Sequence, residues 1–316
     1  MNDIMTQQTY ERFDVHGHLL TPSYKKLLAD QGIDFPDGVP MPSWSLSDQL
    51  QAMEKNGITH SILSISSPPI NFGDDNAARI ITRNVNEETA AYVSSHPDKL
   101  SFLASLPLPN ADFSVQEARY AMDTLKACGF TLPTNVLGVY LGNPVLDPLM
   151  EELNSRHAVV AIHPTAPSAL PENVNEGVPT PLVEFFFDTS RTVVNLMMKN
   201  IFARYPNIKW IIPHAGAVIP ILSDRVQYYA PPNCDVYETL GNLYYDLAGA
   251  CTLKQLGVLL KLTTVDHLLY GTDFPFTNAE RGASLLQALE STPELSAQDR
   301  KKIFEENPRK LFPHLK

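Results

Sequence analysis

Five side chains in this 316-residue sequence are of types that could share one reaction centre: His16, His18, His163, His214 and Asp273. Two of them stand in Phe13-Asp-Val-His16-Gly-His18, imidazoles at i and i+2. Side chains on a strand alternate faces, so this spacing turns both rings the same way and lets their nitrogens hold one cation. An isolated pair of this kind is a common pattern and decides little by itself. Ala161-Ile-His163-Pro164-Thr165 adds an imidazole after an apolar run, and Gly271-Thr-Asp273-Phe-Pro275 adds a carboxylate after another. Three imidazoles and one carboxylate suit Zn²⁺, and would also serve Mn²⁺ or Fe²⁺. Ile212-Pro-His214-Ala-Gly216 supplies one more imidazole. A neutral ring beside a cation can move the proton of water that the cation has made acidic, which casts His214 as an acid/base; the alternative is that His214 is itself a ligand. Taken singly, His163 reads as a hydrogen-bonded residue closing a strand and Asp273 as a turn former ahead of Pro275. Their joint placement after apolar runs favours a site.

Groups this far apart in sequence meet only on a scaffold that gathers strand ends. Short apolar runs rich in β-forming residues recur between stretches of helical period. Eight are predicted as strands: Arg12–His16, His60–Ser64, Leu100–Leu106, Val136–Leu141, Ala158–His163, Ile208–His214, Leu243–Leu247 and Asp266–Asp273. Eight strand–helix alternations in one chain predict a closed (β/α)8 TIM barrel, a single domain over residues 1–316. Active-site groups in such barrels project from the C-terminal strand ends, where all five candidates fall. His60, His157 and His267 open strands at the opposite, stability face; His96 lies in a loop and His314 near the C-terminus, so these five take structural readings.

Helix starts are expected at Ser45-Leu-Ser-Asp-Gln and at Asp188-Thr-Ser-Arg, with helix stops at Asn56-Gly57, Cys128-Gly129 and Tyr205-Pro206. The Pro-rich segments Thr21–Pro42 and Thr165–Pro181 exceed ordinary connections and are predicted as insertions, about residues 21–45 and 165–181, over the barrel mouth. Trp44, in the first insertion, is a candidate to close over the site.

A formal net charge of −11 argues against a nucleic-acid surface, which needs clustered Lys and Arg. Cys128, Cys234 and Cys251 form no paired or metal-binding spacing, as in proteins of a reducing compartment. Residues 1–11 lack the apolar core of a secretory signal, and no stretch is long and apolar enough to span a bilayer. These features predict a cytoplasmic protein that engages neither nucleic acid nor membrane.

The chain resembles the amidohydrolase superfamily, in particular its branch of aminocarboxymuconate-semialdehyde decarboxylase-like proteins. The similarity runs through Phe13–Pro22, Ala161–Pro164, Phe187-Asp-Thr-Ser-Arg191, Arg204 to Gly216, Tyr244-Tyr-Asp246 and Leu269 to Phe276. It implies a barrel of the metal-dependent hydrolase type, with His16, His18, His163 and Asp273 holding one Zn²⁺ or Mn²⁺ and with His214 as acid/base. Binuclear relatives need a carboxylated lysine on strand 4; the strand predicted there, Val136–Leu141, has none, so a single divalent metal, zinc first and manganese as the alternative, is expected.

In the decarboxylases of that branch an arginine eleven residues after the strand-6 histidine crosses a dimer interface to the substrate carboxylate. Arg225 matches it, which implies a homodimer or a dimer-based homo-oligomer; otherwise Arg225 is a surface residue paired with Asp224. Phe186, Phe187 and Asp188 would follow strand 5 near the mouth, where the rings either stack on a flat substrate or pack in the core. The resemblance implies non-oxidative decarboxylation of a small hydroxylated aromatic, salicylate-like carboxylic acid, as in 6-methylsalicylate and γ-resorcylate decarboxylases, with Asp273, or water relayed by His214, supplying the proton. The alternative is metal-dependent hydrolysis or hydration of a lactone, amide or unsaturated acid by the same residues.

Overall fold

The computed structural model describes residues 10–171, 173–232, 234–249 and 252–315. Cys251 and residues 1–9 therefore lie outside the described residues.

Eight strands form one sheet: β1 (Phe13–His18), β2 (His60–Ser64), β3 (Leu100–Ala104), β4 (Gly129–Pro133), β5 (Val159–His163), β6 (Lys209–Ile212), β7 (Tyr244–Asp246) and β8 (Leu268–Leu269). Each pairs in parallel with its sequence neighbours, in the order β1 to β8. The ring closes through backbone hydrogen bonds between β1 and the chain leaving β8: Val15 N to Tyr270 O at 2.9 Å, Asp273 N to His16 O at 2.8 Å and His18 N to Phe274 O at 2.8 Å. Helices fill the connections, so the architecture is the expected (β/α)8 barrel.

The side-chain pattern follows from burial on both faces of a parallel sheet. Phe13, Val15, Ile62, Leu103, Val159, Ile211 and Leu269 pack together in one cluster with Leu311, Phe312 and Leu315, so the C-terminal segment plugs the barrel floor. The alternate positions, among them Leu63, Phe102, Phe130, Ile162 and Tyr245, face the helices.

Strand 4 corrects the sequence expectation. The barrel strand is Gly129-Phe-Thr-Leu-Pro133, whereas Val136–Leu141 contributes only a two-stranded antiparallel hairpin pairing Asn135 with Tyr140 and Val136 with Val139. Positive φ at Leu137 (52°) and Gly138 (80°) turns that hairpin back on itself. Gly129 therefore opens a strand instead of ending a helix. No lysine lies on the observed strand either.

Ser45 caps the helix Leu46–Lys55 by accepting from Asp48 N, as the residue types predict. The other expected start, Asp188, lies inside a helix that already begins at Thr180 and runs to Met198. The insertions meet above the mouth, where Gly38, at φ +80°, leaves a Cβ position 3.3 Å from Pro179 Cα.

Asp14 ties the closure together from the outer side of β1. Its buried carboxylate accepts from His16 N (3.1 Å), Thr272 N (3.0 Å), Thr272 Oγ1 (2.8 Å) and Ser61 Oγ (3.0 Å). Asp14→Ala strands these buried donors, so it should lower unfolding free energy by about 2–4 kcal/mol in urea titrations. A loss below about 0.5 kcal/mol would show that the closure does not depend on this carboxylate.

Candidate metal and catalytic site

Strand alternation alone would place His16 and His18 on the same side as Asp14, away from the interior that receives Phe13 and Val15. The β1–β2 register shifts between Asp14 and Gly17, and this bulge re-aims both rings. Their Nε2 atoms approach to 3.0 Å. His163, at the end of β5, shares the inward parity of Val159 and its ring lies 4.9 Å from that of His18.

The second nitrogen of each ring is engaged. His16 Nδ1 faces Asp246 Oδ2 at 2.9 Å, His18 Nδ1 faces Ser64 O at 3.2 Å and His163 Nδ1 faces Pro164 O at 2.8 Å. Those acceptors favour a proton on Nδ1 of each ring, which turns the Nε2 atoms toward a common centre.

Asp273 lies beyond the short strand β8, not at its end, at φ 60°. Its Oδ1 is 3.3 Å from His18 Nε2 and 4.0 Å from His16 Nε2. His214 follows β6 in a turn at φ 55°, with Ala215 and Ala217 also left-handed. Such backbone costs about 1–2 kcal/mol per non-glycine residue, so something must hold it. Asp246 Oδ1 accepts from His214 N at 3.0 Å, and Gln255 Nε2 donates to Ala217 O at 2.9 Å.

Candidate ligand atoms of His16, His18 and His163 lie within 4.8 Å of one another, as do those of His16, His214 and Asp273. The donor set fits a divalent cation: imidazole nitrogens and a carboxylate oxygen around a common centre. Two glycines keep side chains out of it. A Cβ on Gly249 would stand 3.3 Å from His214 Cδ2 and 3.5 Å from Asp273 Oδ2, and one on Gly271 would stand 2.7 Å from His16 Cβ.

Electrostatics agree. Burial lowers the pKa of His18, His163 and His214, keeping these rings neutral and able to donate lone pairs. Burial also opposes charge on His16, but the adjacent Asp246 carboxylate reverses this and raises His16 to about 9. The proton held there marks a place that favours positive charge. For Asp273, burial favours the neutral acid, yet the surrounding imidazoles outweigh it and the pKa falls.

Asp246 is a site residue whose role residue type and spacing do not reveal. It ends β7 with inward parity, but besides the nearby Ala248 amide its partners are His16 and the His214 amide, 230 and 32 residues away.

The centre opens into a cavity of about 660 Å³, a size that suits a small aromatic molecule. His163, His214 and Asp273 line it, and the walls include Pro36, Pro40, Pro179, Leu182, Phe185, Phe186 and Phe276. Both insertions contribute. Phe186 stacks on His214 with ring centroids 5.8 Å apart at 19°.

None of the four residues expected to bind substrate is in the cavity lining of its own chain. Phe187 is half exposed and absent from the cavity lining, because its neighbour Phe186 holds the inward-facing helix position. Asp188 is fully buried and its oxygens take hydrogen bonds from Thr134, Asn135, Tyr140 and Arg191. It clamps the hairpin to the helix. Trp44 is 5% exposed, donates to Gln49 Oε1 at 3.3 Å and packs edge-on against Tyr92, so it belongs to the core. Arg225 is exposed on the helix Ile219–Tyr229, outside the cavity of its own chain, with its guanidinium 5.5 Å above the Tyr229 ring. The expected pairing with Asp224 is not formed; Asp224 accepts from Tyr237 OH at 2.6 Å.

The sequence profile of the amidohydrolase family matches residues 13–314. The 6-methylsalicylic acid decarboxylase of Penicillium expansum is 31% identical over 319 residues, covering 96% of this chain and 97% of that protein. A crystal structure of an amidohydrolase II superposes with a TM-score of 0.94 at 40% identity, covering 96% of this chain and all of the other. A dihydroxybenzoic acid decarboxylase from Polaromonas sp. JS666, crystallised with manganese and 2-nitroresorcinol, shares the fold at a TM-score of 0.81 and 20% identity, covering 96% of this chain and 97% of that one.

Asp246→Ala removes the acceptor that fixes the His16 tautomer, so affinity for Zn²⁺ or Mn²⁺ should fall about 10- to 100-fold in a competitive chelator titration. Unchanged affinity would mean that His16 needs no such partner.

Proposed function

The chain belongs to the amidohydrolase family, and from that premise we propose that it is a metal-dependent, non-oxidative decarboxylase of a small hydroxylated aromatic acid of the salicylate type. The observation that carries this reading is the meeting of two groups that share His16, one with His18 and His163 and one with His214 and Asp273, with Asp273 Oδ1 3.3 Å from His18 Nε2 and with His163, His214 and Asp273 lining a largely apolar cavity. His16, His18, His163 and Asp273 would hold one divalent cation, with zinc favoured by the three-imidazole donor set and manganese supported by the Polaromonas fold relative. When bound, that cation supplies Lewis-acid charge to draw and orient the acid's oxygens.

The chain's own residues supply the rest. Phe185, Phe186 and Phe276 offer faces and edges to a flat ring and keep water away from it. A proton is delivered to the ring carbon that carries the carboxylate. The carbon–carbon bond then breaks, its electron pair restores aromaticity, and CO₂ leaves. His214 is suited to carry that proton: its ring is buried, its pKa is lowered, and its Nδ1 has no hydrogen-bond partner among the described residues. Asp273, with its carboxylate at the mouth, is the other carrier at hand.

Arg225 would act in a homodimer, entering the partner's cavity to bind the acid's carboxylate. Support comes from its own surface: Arg225 has no ion pair among the described residues, and Ile221, Tyr228 and Tyr229 on the same helix are 67%, 82% and 67% exposed. Among the described residues no helix is long and apolar enough to cross a membrane. A cytoplasmic location remains part of this proposal.

With a panel of hydroxybenzoates, CO₂ and the matching phenol should appear in equal amounts; chelation should reduce the rate at least about 100-fold and added Zn²⁺ or Mn²⁺ should restore it. Full activity in metal-free protein would refute metal dependence, and a ring-opened or hydrated product would favour the hydrolytic chemistry instead. His214→Asn should lower kcat about 100-fold or more with metal content unchanged, whereas loss of the metal would make His214 a ligand. Arg225→Ala should raise KM for the acid about tenfold without altering the melting temperature; unchanged kinetics, or a monomer at equilibrium in sedimentation, would exclude the crossing arginine.

A further inference from the structure

One acidic residue in the cavity has no part in the chemistry above. Asp37 belongs to the first insertion, in Phe35-Pro-Asp37-Gly-Val-Pro-Met-Pro, and lines the same cavity as His163, His214 and Asp273. Its backbone is left-handed at φ 54°, a conformation that Asp and Asn tolerate better than most residues, and prolines on either side restrict the segment. The carboxylate is thus presented from a stiff support.

Its surroundings leave it short of partners. Ser67 lines the cavity beside it, and the Ser67 hydroxyl reaches Thr165 Oγ1 at 3.1 Å. No cation pairs with Asp37 among the described residues, and the cavity it lines is walled mainly by proline, leucine and phenylalanine, with Ser66, Ser67 and Thr277 as the hydroxyl-bearing residues. Burial accordingly pushes its pKa up. A carboxylate in such walls gains from any donor that enters, because most of its acceptor capacity is otherwise unused.

From this placement we propose that Asp37 is a specificity-determining residue that accepts a hydrogen bond from a second ring hydroxyl of the aromatic acid. The inference rests on the decarboxylase reading and narrows its substrate class to dihydroxybenzoates bearing a hydroxyl besides the one adjacent to the carboxylate. The same carboxylate repels a second anionic group, so it also orients the substrate: the acid end is driven toward the histidines and the hydroxyl end toward the insertion.

The test uses the metal-loaded, full-length protein and measures both equilibrium binding and kcat/KM for 2,4-dihydroxybenzoate, 2-hydroxybenzoate and the dianion 4-hydroxyisophthalate. Wild type should prefer the dihydroxy acid to the monohydroxy acid. Asp37→Ala should cut that preference about 10- to 100-fold, the range for a hydrogen bond to a charged acceptor. Asp37→Asn, which keeps an acceptor and tolerates the left-handed backbone, should give an intermediate loss, while both variants should bind the dianion better than wild type. A merely loosened cavity would not move the two ligands in opposite directions. Should wild type bind and decarboxylate both benzoates without preference, or the preference survive in Asp37→Ala, the role of Asp37 is overturned and the decarboxylase reading stands. Should wild type neither bind nor decarboxylate any hydroxybenzoate, both fall together.

Discussion

The backbone of β1 meets the chain leaving β8 through three hydrogen bonds, with the Asp14 carboxylate bridging the same two segments through Thr272. This seam joins the two ends of the sequence, and it is where His16 and His18 come to face Asp273. Parallel strands need long connections, so nothing local brings these groups together. A barrel left open at this edge would keep each imidazole on its own strand and lose the centre. The β1 bulge belongs to the same seam: it lets Val15 serve the apolar interior while His16, the next residue, points to the mouth.

Once the seam is closed, the orientation of each ring is decided by what lies behind it. Two backbone carbonyls and one carboxylate engage the Nδ1 atoms of His18, His163 and His16. Because burial also keeps His18 and His163 neutral, the lone pairs are ready before any cation arrives. Asp246 serves twice, through His16 and through the His214 amide, and so couples the ligand set to the proton carrier. The left-handed turn at His214 persists because this carboxylate and Gln255 hold it.

The cavity has a different origin. Its floor comes from strand ends common to the barrel, but much of its wall comes from the two Pro-rich insertions and the start of the helix Thr180–Met198. Proline walls add shape with little conformational freedom to lose on binding. Apolar walls around a few polar groups suit a small, flat organic acid better than a polar, extended substrate.

By itself the sequence determined the alternation of strands and helices, and hence the barrel, because buried parallel strands leave contiguous apolar runs that are readable one at a time. It also marked His16, His18, His163, His214 and Asp273, since barrel chemistry collects at the ends of such runs. Strand 4 was decided by tertiary structure: Gly129-Phe-Thr-Leu-Pro133 carries loop-like termini, whereas Val136–Leu141 carries more β-forming residues, and only the place beside β3 and β5 selects between them. The choice of Phe186 over Phe187 rests on helical phase, where neighbours differ by about 100° and the start at Thr180 sets the count. Trp44 and Asp188 became core and clamp through partners such as Tyr92 and Tyr140, far along the chain. The tasks of Asp246 and Asp37 were likewise hidden, because a carboxylate's role follows from what surrounds it within a few ångströms, and those neighbours are assembled only when the barrel closes.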